Sequence, residues 1–409
     1  MGGEEGVVED EEVCGGCGRK KKAGTGTVVL LDGGMGHELK RRLGTTLFGG
    51  GGSACVGEDE SISTATAKTV LALHEEYIDA GCHVVTTNTF MSTPAAVGGD
   101  GVREAVQGAV SVAKKAVEEC CRAKRTSPAC VEEDGKKKVI AGSVPPLGKC
   151  YDASIVPSTP DSLVSPYCEV IYSMLHSSSY CVDLLLAETL SSSVEAKAVI
   201  LALRRALQRL SIANVPDLWI SFTIVDEMDS NKCVLLRSGE KLEDAIQSIF
   251  EFCKKESVID DENFDGSSLN SLAIMPKAIL VNCCHPIAAV HAIKVMRRER
   301  SVADGDVKIG CYANAFKTTT STWLATSTWL SNHDQTSDKR SSTAIATWSD
   351  REAGGDCEAD YDEDGVMLET AFAKYALRAV EEGADIIGGC CGTTPSIMQY
   401  TYNKIKEKQ

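Results

Sequence analysis

Eight short apolar, β-branched runs recur along this chain, separated in most places by longer stretches of helical periodicity. The runs fall at 27–31, 83–87, 138–141, 182–187, 218–223, 277–281, 307–312 and 384–387. Helical patterns cover 65–80, 102–122, 192–210, 242–255, 287–298 and 368–381, and a last helix is expected from Thr394-Pro395, where proline suits the first turn. Runs that are apolar at nearly every position are strands buried on both faces, and strands joined through helices lie parallel. Eight such units predict an α/β fold with a single closed (β/α)8 TIM barrel. A doubly wound open sheet shares the alternation. The turn after the first run, Asp32-Gly33-Gly34-Met35-Gly36-His37, lacks the Gly-x-Gly-x-x-Gly spacing of a dinucleotide site.

Three segments break the rhythm. Residues 1–24 are polar, charged and glycine-rich, and are expected to form a disordered tail ahead of a barrel spanning 25–409. Residues 49–63 are rich in Gly, Ser and acids. Residues 318–364, after the seventh run, are rich in Thr, Ser and Asp, and carry Trp323, Trp329 and Trp348 of the chain's 4 tryptophans. Such composition lacks the apolar mass to order itself, so a low-complexity insertion is expected there, with a lid as the alternative.

The formal net charge of −16 argues against a nucleic-acid or anionic-membrane partner. The basic clusters at 19–22 and 136–138 are short enough to be solvated loops. The first ten residues have neither an apolar core nor an Arg-rich amphipathic pattern, and no run is apolar and long enough to span a bilayer. A cytoplasmic, reducing location is therefore expected, with most of the 18 cysteines serving as free thiols in small core sites. Cys14 and Cys17 have the spacing of a zinc knuckle, but no second pair follows.

Barrels of this kind gather chemistry at the C-terminal ends of their strands. The eighth run ends in Gly388-Gly389-Cys390-Cys391-Gly392 and the sixth in Asn282-Cys283-Cys284-His285. Strands six and eight are two apart, so their ends meet on one face. Cys283, Cys390 and Cys391 then form an all-thiolate site suited to Zn2+, with the fourth tetrahedral position open for a substrate atom. Only one of Cys283 and Cys284 is expected to face the metal, because side chains alternate along a strand. Histidines 37, 83 and 285 are read as surface or satisfied residues beside such a site.

Glu188 ends the fourth run. A carboxylate there is either an ion-pair partner inside the barrel or a receptor for a ligand's ammonium group. Asp32 is similar, and the amides of Gly33 and Gly34 are placed to meet a ligand carboxylate at the start of a helix.

The set of motifs resembles the homocysteine S-methyltransferase family. It comprises Leu31-Asp32-Gly33-Gly34-Met35-Gly36, Thr86-Thr87-Asn88-Thr89-Phe90 and Ala141-Gly142-Ser143-Val144-Pro145-Pro146-Leu147-Gly148. Leu186-Ala187-Glu188-Thr189, Val281-Asn282-Cys283, Tyr312-Ala313-Asn314 and Ile387-Gly388-Gly389-Cys390-Cys391-Gly392-Thr393 complete it, in the family's order. The resemblance implies a zinc-containing barrel that methylates homocysteine to methionine. Cys283, Cys390 and Cys391 would be the zinc ligands, Glu188 would hold the substrate ammonium, and Asp32, Gly33 and Gly34 its carboxylate end. Asn314 would stand near the fourth metal position, although Tyr-Ala-Asn departs from the family's more usual Tyr-Pro-Asn. The expected partners are homocysteine and a small cationic methyl donor: S-methylmethionine, S-adenosylmethionine or betaine. A methylfolate and cobalamin route would need further domains. Two other classes share the zinc site, a non-catalytic zinc-binding barrel and a methyltransferase-like regulator, but neither requires Glu188 or the Asp32 turn.

Overall fold

The computed structural model describes residues 27–43, 65–124, 138–148, 150–176, 182–212, 214–226, 233–256, 274–299, 302, 307–317 and 360–409. The expected N-terminal tail, the 49–63 stretch, the Cys14–Cys17 pair, the three tryptophans and most of the 318–364 insertion lie outside these residues.

Eight parallel strands form one sheet. They are β1 (Val29–Leu30), β2 (Val84–Thr86), β3 (Val139–Val144), β4 (Leu184–Leu190), β5 (Asp217–Thr223), β6 (Ala278–Asn282), β7 (Lys308–Ala313) and β8 (Ile386–Gly389). Each pairs with its sequence neighbour from β2 to β8, and β8 returns to β1 with Val29 opposite Ile386. The seam between β1 and β2 is joined by a parallel bridge of Leu31 with Val84 and by the His83 amide donating to the Leu30 carbonyl at 2.7 Å. The sheet thus comes round on itself as the (β/α)8 barrel expected from the alternation.

Two apolar layers explain why the strands read as continuous apolar runs. Leu31, Val84, Leu184, Leu186, Trp219, Leu280, Tyr312 and Ile386 fill the barrel interior. The alternate residues, among them Val85, Leu185, Ile220, Ile279 and Ile387, face the surrounding helices. Those helices are α1 (Met35–Leu43), α2 (Ala65–Asp79), α3 (Pro94–Val97), α4 (Val102–Lys124), α5 (Asp161–Leu175), α6 (Ser193–Leu210), α7 (Leu242–Glu256), α8 (Pro286–Arg298), α9 (Glu369–Glu381) and α10 (Pro395–Lys408). None of the described helices is long and apolar enough to cross a membrane.

Local chemistry sets the helix starts. Ser192 accepts the Glu195 amide at the head of α6, while the Glu195 carboxylate accepts the Ser191 amide at 2.8 Å, so two otherwise orphaned donors are satisfied. Pro395 occupies the first turn of α10 and Thr394 caps it, as the sequence indicated. The periodicity did not announce α5, which carries Pro166 in its interior. The 318–364 insertion is expected to pack against little, but its last residues are pinned. Tyr361 is buried and bridges Met367, while Phe316 beyond β7 bridges Val366.

Candidate functional site

Three cysteine side chains converge at the C-terminal mouth of the barrel. The Sγ atoms of Cys283, Cys390 and Cys391 all lie within 4.8 Å of one another. Cys390 and Cys391 are separated by 4.0 Å, and Cys283 and Cys390 by 2.7 Å. A tetrahedral metal with sulfurs at roughly 2.3 Å spaces them about 3.8 Å apart. The first spacing matches that requirement, and the second needs to widen by about 1 Å to meet it. Soft donors, number and convergence all fit a zinc-type ion with one position left for another ligand. Every cysteine among the described residues is a free thiol.

Cys283 follows β6 in the left-handed region, with φ 51°. That turn sends its sulfur to the site and leaves the Cys284 side chain in the core, fully buried and with its thiol pushed well above the ordinary range by desolvation. The alternation argument therefore resolves in favour of Cys283. Among the three clustered thiols only that of Cys283 is pushed well below the ordinary thiol range, chiefly by the neighbouring Cys390 and Cys391 and in smaller part by the side chains of Tyr151 and Thr189.

The Cys390–Cys391 turn is shaped by close backbone approach. A Cβ on Gly34 would lie 2.4 Å from the Cys390 carbonyl oxygen, and Gly392 takes φ 82°. Thr393 joins this turn to the one after β1: its carbonyl and its hydroxyl each accept from the Gly34 amide at 3.0 Å. The Gly34 amide, read from sequence as a donor to a ligand carboxylate, is thus engaged inside the protein. Asn314 is likewise turned to the backbone. Its amide donates to the Cys284 carbonyl at 2.9 Å, and its Oδ1 accepts from the Cys391 amide at 3.2 Å.

Two buried carboxyls complete the mouth. Asp32 accepts from the Thr86 amide and the Thr86 hydroxyl, both at 2.7 Å, and burial raises its pKa to about 7 against those bonds. Glu188 accepts from the Ser143 hydroxyl and, at 3.3 Å, from the Tyr312 hydroxyl. Burial lifts its pKa to about 7 as well, with the charge on Cys283 adding to the rise. Among the described residues neither carboxyl has a Lys or Arg partner in these bonds. A buried acid poised near neutrality is a group whose charge state can change within the physiological range.

Of the three histidines, His83 and His285 make hydrogen bonds inside the protein. His83 accepts the Leu30 amide through Nδ1 at 2.8 Å, and His285 caps α8 with its Nε2 3.4 Å from the Tyr361 hydroxyl. His37 packs edge-on against Phe316. Sequence reasoning missed Tyr151, whose side chain reaches Cys283 from the loop after β3, and gave Thr189 no role of its own.

The C-terminal mouth of this (β/α)8 barrel thus brings together three cysteines that could hold a metal ion and two buried carboxyls, an arrangement suited to an enzyme acting on a small molecule. The sequence profile described as homocysteine S-methyltransferase matches residues 29–402. The chain belongs to the homocysteine S-methyltransferase family and is a methyltransferase. Solved structures of the homocysteine methyltransferase MmuM from Escherichia coli share the fold. The metallated form has a TM-score of 0.56 and 18% identity, and the oxidised form 0.57 and 18%, each over 93% of this chain and 97% of the other.

Proposed function

We propose that the protein transfers a methyl group from a small cationic donor to the thiol of homocysteine, giving methionine, at a zinc ion held by Cys283, Cys390 and Cys391. The observation that carries this reading is the convergence of those three sulfurs from two separate strand ends. Among the donors S-methylmethionine, S-adenosylmethionine and betaine, all carry a positive charge that suits an acidic protein, and none needs a further domain.

Zinc, when bound, supplies Lewis acidity that ionises a substrate thiol near neutral pH without a protein base. The chain's own residues do the rest. Glu188, fixed by Ser143 and Tyr312, receives the homocysteine ammonium and so orients the amino acid with its sulfur toward the three cysteines. Asp32, locked to Thr86, lines the same mouth on the side of the β1 turn. Holding thiol and donor methyl in line converts a bimolecular displacement into a positioned one.

Purified protein should contain about one zinc per chain, and Cys283→Ser, Cys390→Ser and Cys391→Ser should each lower it sharply, whereas Cys284→Ser should not. Incubation with homocysteine and each donor in turn should yield methionine with one of them. Full zinc in Cys390→Ser sinks the metal assignment, and no methionine from any of the three sinks the donor class.

A further inference from the structure

In the Thr86-Thr87-Asn88-Thr89-Phe90 motif that ends β2, Thr86 binds Asp32, while Thr87 and Thr89 are bonded to the neighbouring strand β3. The backbone leaves the sheet at this point. The Thr87 amide still donates to the Ala141 carbonyl at 2.9 Å. From the register of Thr86 with Ala141, the next two rungs of a parallel ladder would join the Ser143 amide to the Thr87 carbonyl and the Thr89 amide to the Ser143 carbonyl. The Thr89 amide donates instead to the Thr87 carbonyl at 2.8 Å, closing a three-residue turn at Asn88. Ser143 is thereby deprived of both its main-chain partners on the β2 side, and buried backbone groups must find others.

The two threonine hydroxyls take their places. The Ser143 amide donates to Thr87 Oγ1 at 3.0 Å, and Thr89 Oγ1 donates to the Ser143 carbonyl at 2.7 Å. The hydroxyls themselves lie 2.9 Å apart. A carbonyl can only accept, so the single Thr89 proton is committed to it and Thr87 must donate to Thr89. The result is a closed ring of three bonds in which each hydroxyl donates once and accepts once. Thr87 is 3% exposed, Thr89 0% and Ser143 1%, so no solvent competes for these bonds. With its main chain held by the ring, Ser143 has its hydroxyl left for Glu188, which it meets from β3 while Tyr312 meets the same carboxyl from β7.

We propose that Thr87 and Thr89 are positioning residues for substrate recognition, acting through Ser143: their hydroxyl ring sets where the Ser143 side chain sits and so aims the Glu188 carboxylate at the ammonium of the substrate. The end of β2 then braces both carboxyls of the mouth, Asp32 directly through Thr86 and Glu188 at one remove. Hydroxyls serve this purpose where main-chain rungs cannot, because β2 has to turn out of the sheet to leave the mouth open. The proposal rests on the ammonium reading of Glu188 above, and its test separates the two.

Calorimetric titration of zinc-loaded protein with homocysteine and with 4-mercaptobutanoate, the same thiol acid without its ammonium group, isolates ammonium recognition. Thr89→Val keeps the shape and removes the donor to Ser143. Homocysteine should then bind about tenfold more weakly, while 4-mercaptobutanoate stays within about twofold of the parent and zinc content is unchanged. Thr87→Val breaks the ring at its other corner and should show the same selective loss. Thr89→Ser restores the hydroxyl and should return to the parent. In a Glu188→Gln background, Thr89→Val should add little to the loss already made there. The proposal is overturned if the two valine variants bind homocysteine as the parent does, or weaken both thiols alike. It is overturned equally if Thr89→Val keeps its full effect in the Glu188→Gln background, since the ring then acts without that carboxylate. Valine variants that unfold or lose zinc make the threonines braces of the β2–β3 seam only, which also counts against it. If Glu188→Gln itself binds homocysteine as tightly as the parent, the ammonium reading fails and this proposal with it. A large loss in Glu188→Gln beside unchanged valine variants removes this proposal alone.

Discussion

Glu188 is expected to pull the protein in two directions at once, and Glu188→Gln should separate them. The carboxyl is buried, accepts from Ser143 and Tyr312, and has its pKa raised to about 7 from an ordinary 4.5. An unfolded chain would ionise this group above pH 4.5, while the folded chain holds the proton until pH 7. Its contribution to stability is therefore complete below pH 4.5 and is lost as pH rises through 7, at up to about 3 kcal/mol for a displacement of this size. Affinity for an ammonium runs the other way, because only the ionised carboxylate can pair with it. One pH unit below its pKa the group is about one-tenth ionised, so the wild-type affinity for homocysteine should be about tenfold weaker at pH 6 than at pH 8.

Glutamine keeps the shape and an acceptor oxygen but never carries charge. Removing one partner of a buried charge pair costs about 2–5 kcal/mol, and the conservative change falls at the lower end, near ~2–3 kcal/mol or a 30- to 150-fold loss in affinity. Calorimetric titration of zinc-loaded protein with homocysteine at pH 6 and 8, for wild type and Glu188→Gln, measures both effects. The substrate's own thiol ionisation is common to the two proteins and cancels in their ratio. Thermal unfolding of the same samples should show the variant more stable than wild type at pH 8 and indistinguishable from it near pH 5. A variant that binds homocysteine as tightly as wild type, with the same pH slope, would falsify the ammonium role. One that loses zinc or fails to fold makes Glu188 structural.

Gly34→Ala places a Cβ 2.4 Å from the Cys390 carbonyl oxygen, so the turn carrying Cys390 and Cys391 must move. Zinc content should fall with a loss of about 1–3 kcal/mol in stability, and normal zinc by elemental analysis would refute the close approach. His74 on α2 is 0% exposed, neither ring nitrogen has a hydrogen-bond partner, and burial lowers its pKa to about 4. A depressed histidine favours the neutral fold above pH 6.5 and loses that advantage as pH falls toward 4, by up to about 3 kcal/mol. His74→Leu should therefore be no less stable at pH 7 and should resist acid unfolding better; an unchanged acid midpoint counts against this. Asn314→Ala should weaken zinc retention while leaving the KM for homocysteine of fully loaded enzyme within about threefold, whereas a raised KM with normal zinc would make Asn314 a substrate contact after all.

The barrel was legible because a strand buried on both faces has no polar alternation to hide it. The runs at 182–187 and 218–223 became β4 and β5 for that reason, with Leu186 and Trp219 facing inward and Leu185 and Ile220 facing the helices. The expected third strand stopped at 141, yet β3 continues through Gly142 and Ser143 to Val144. A glycine and a serine look like a turn in isolation, but here the Ser143 amide donates to the Thr87 hydroxyl, and its own hydroxyl is spent on Glu188. The cysteines were legible because adjacent thiols hemmed by glycines have few other uses. Tyr151 was not, since its contact with Cys283 depends on a left-handed turn in a long loop, and no spacing in the sequence encodes that meeting.

Strand β7 lies between the two strands that supply cysteines, and its end acts as a bracket. The Asn314 amide holds the carbonyl of Cys284, next to Cys283, while the Asn314 side chain and the Ala315 amide hold the backbone of Cys391, the latter at 2.8 Å. The Cys390 amide donates to the Ala313 carbonyl at 2.8 Å, which fixes the third cysteine against the same strand. Sulfur spacing is therefore set by three neighbouring backbones in a parallel sheet, a frame that resists shear because each bond in the ladder would have to break with the others. Against that stiff frame, the contacts that reach Cys283 from β4 and from the loop after β3 come through single side chains. The frame holds the three cysteines together, so substitutions that break its backbone bonds should release metal.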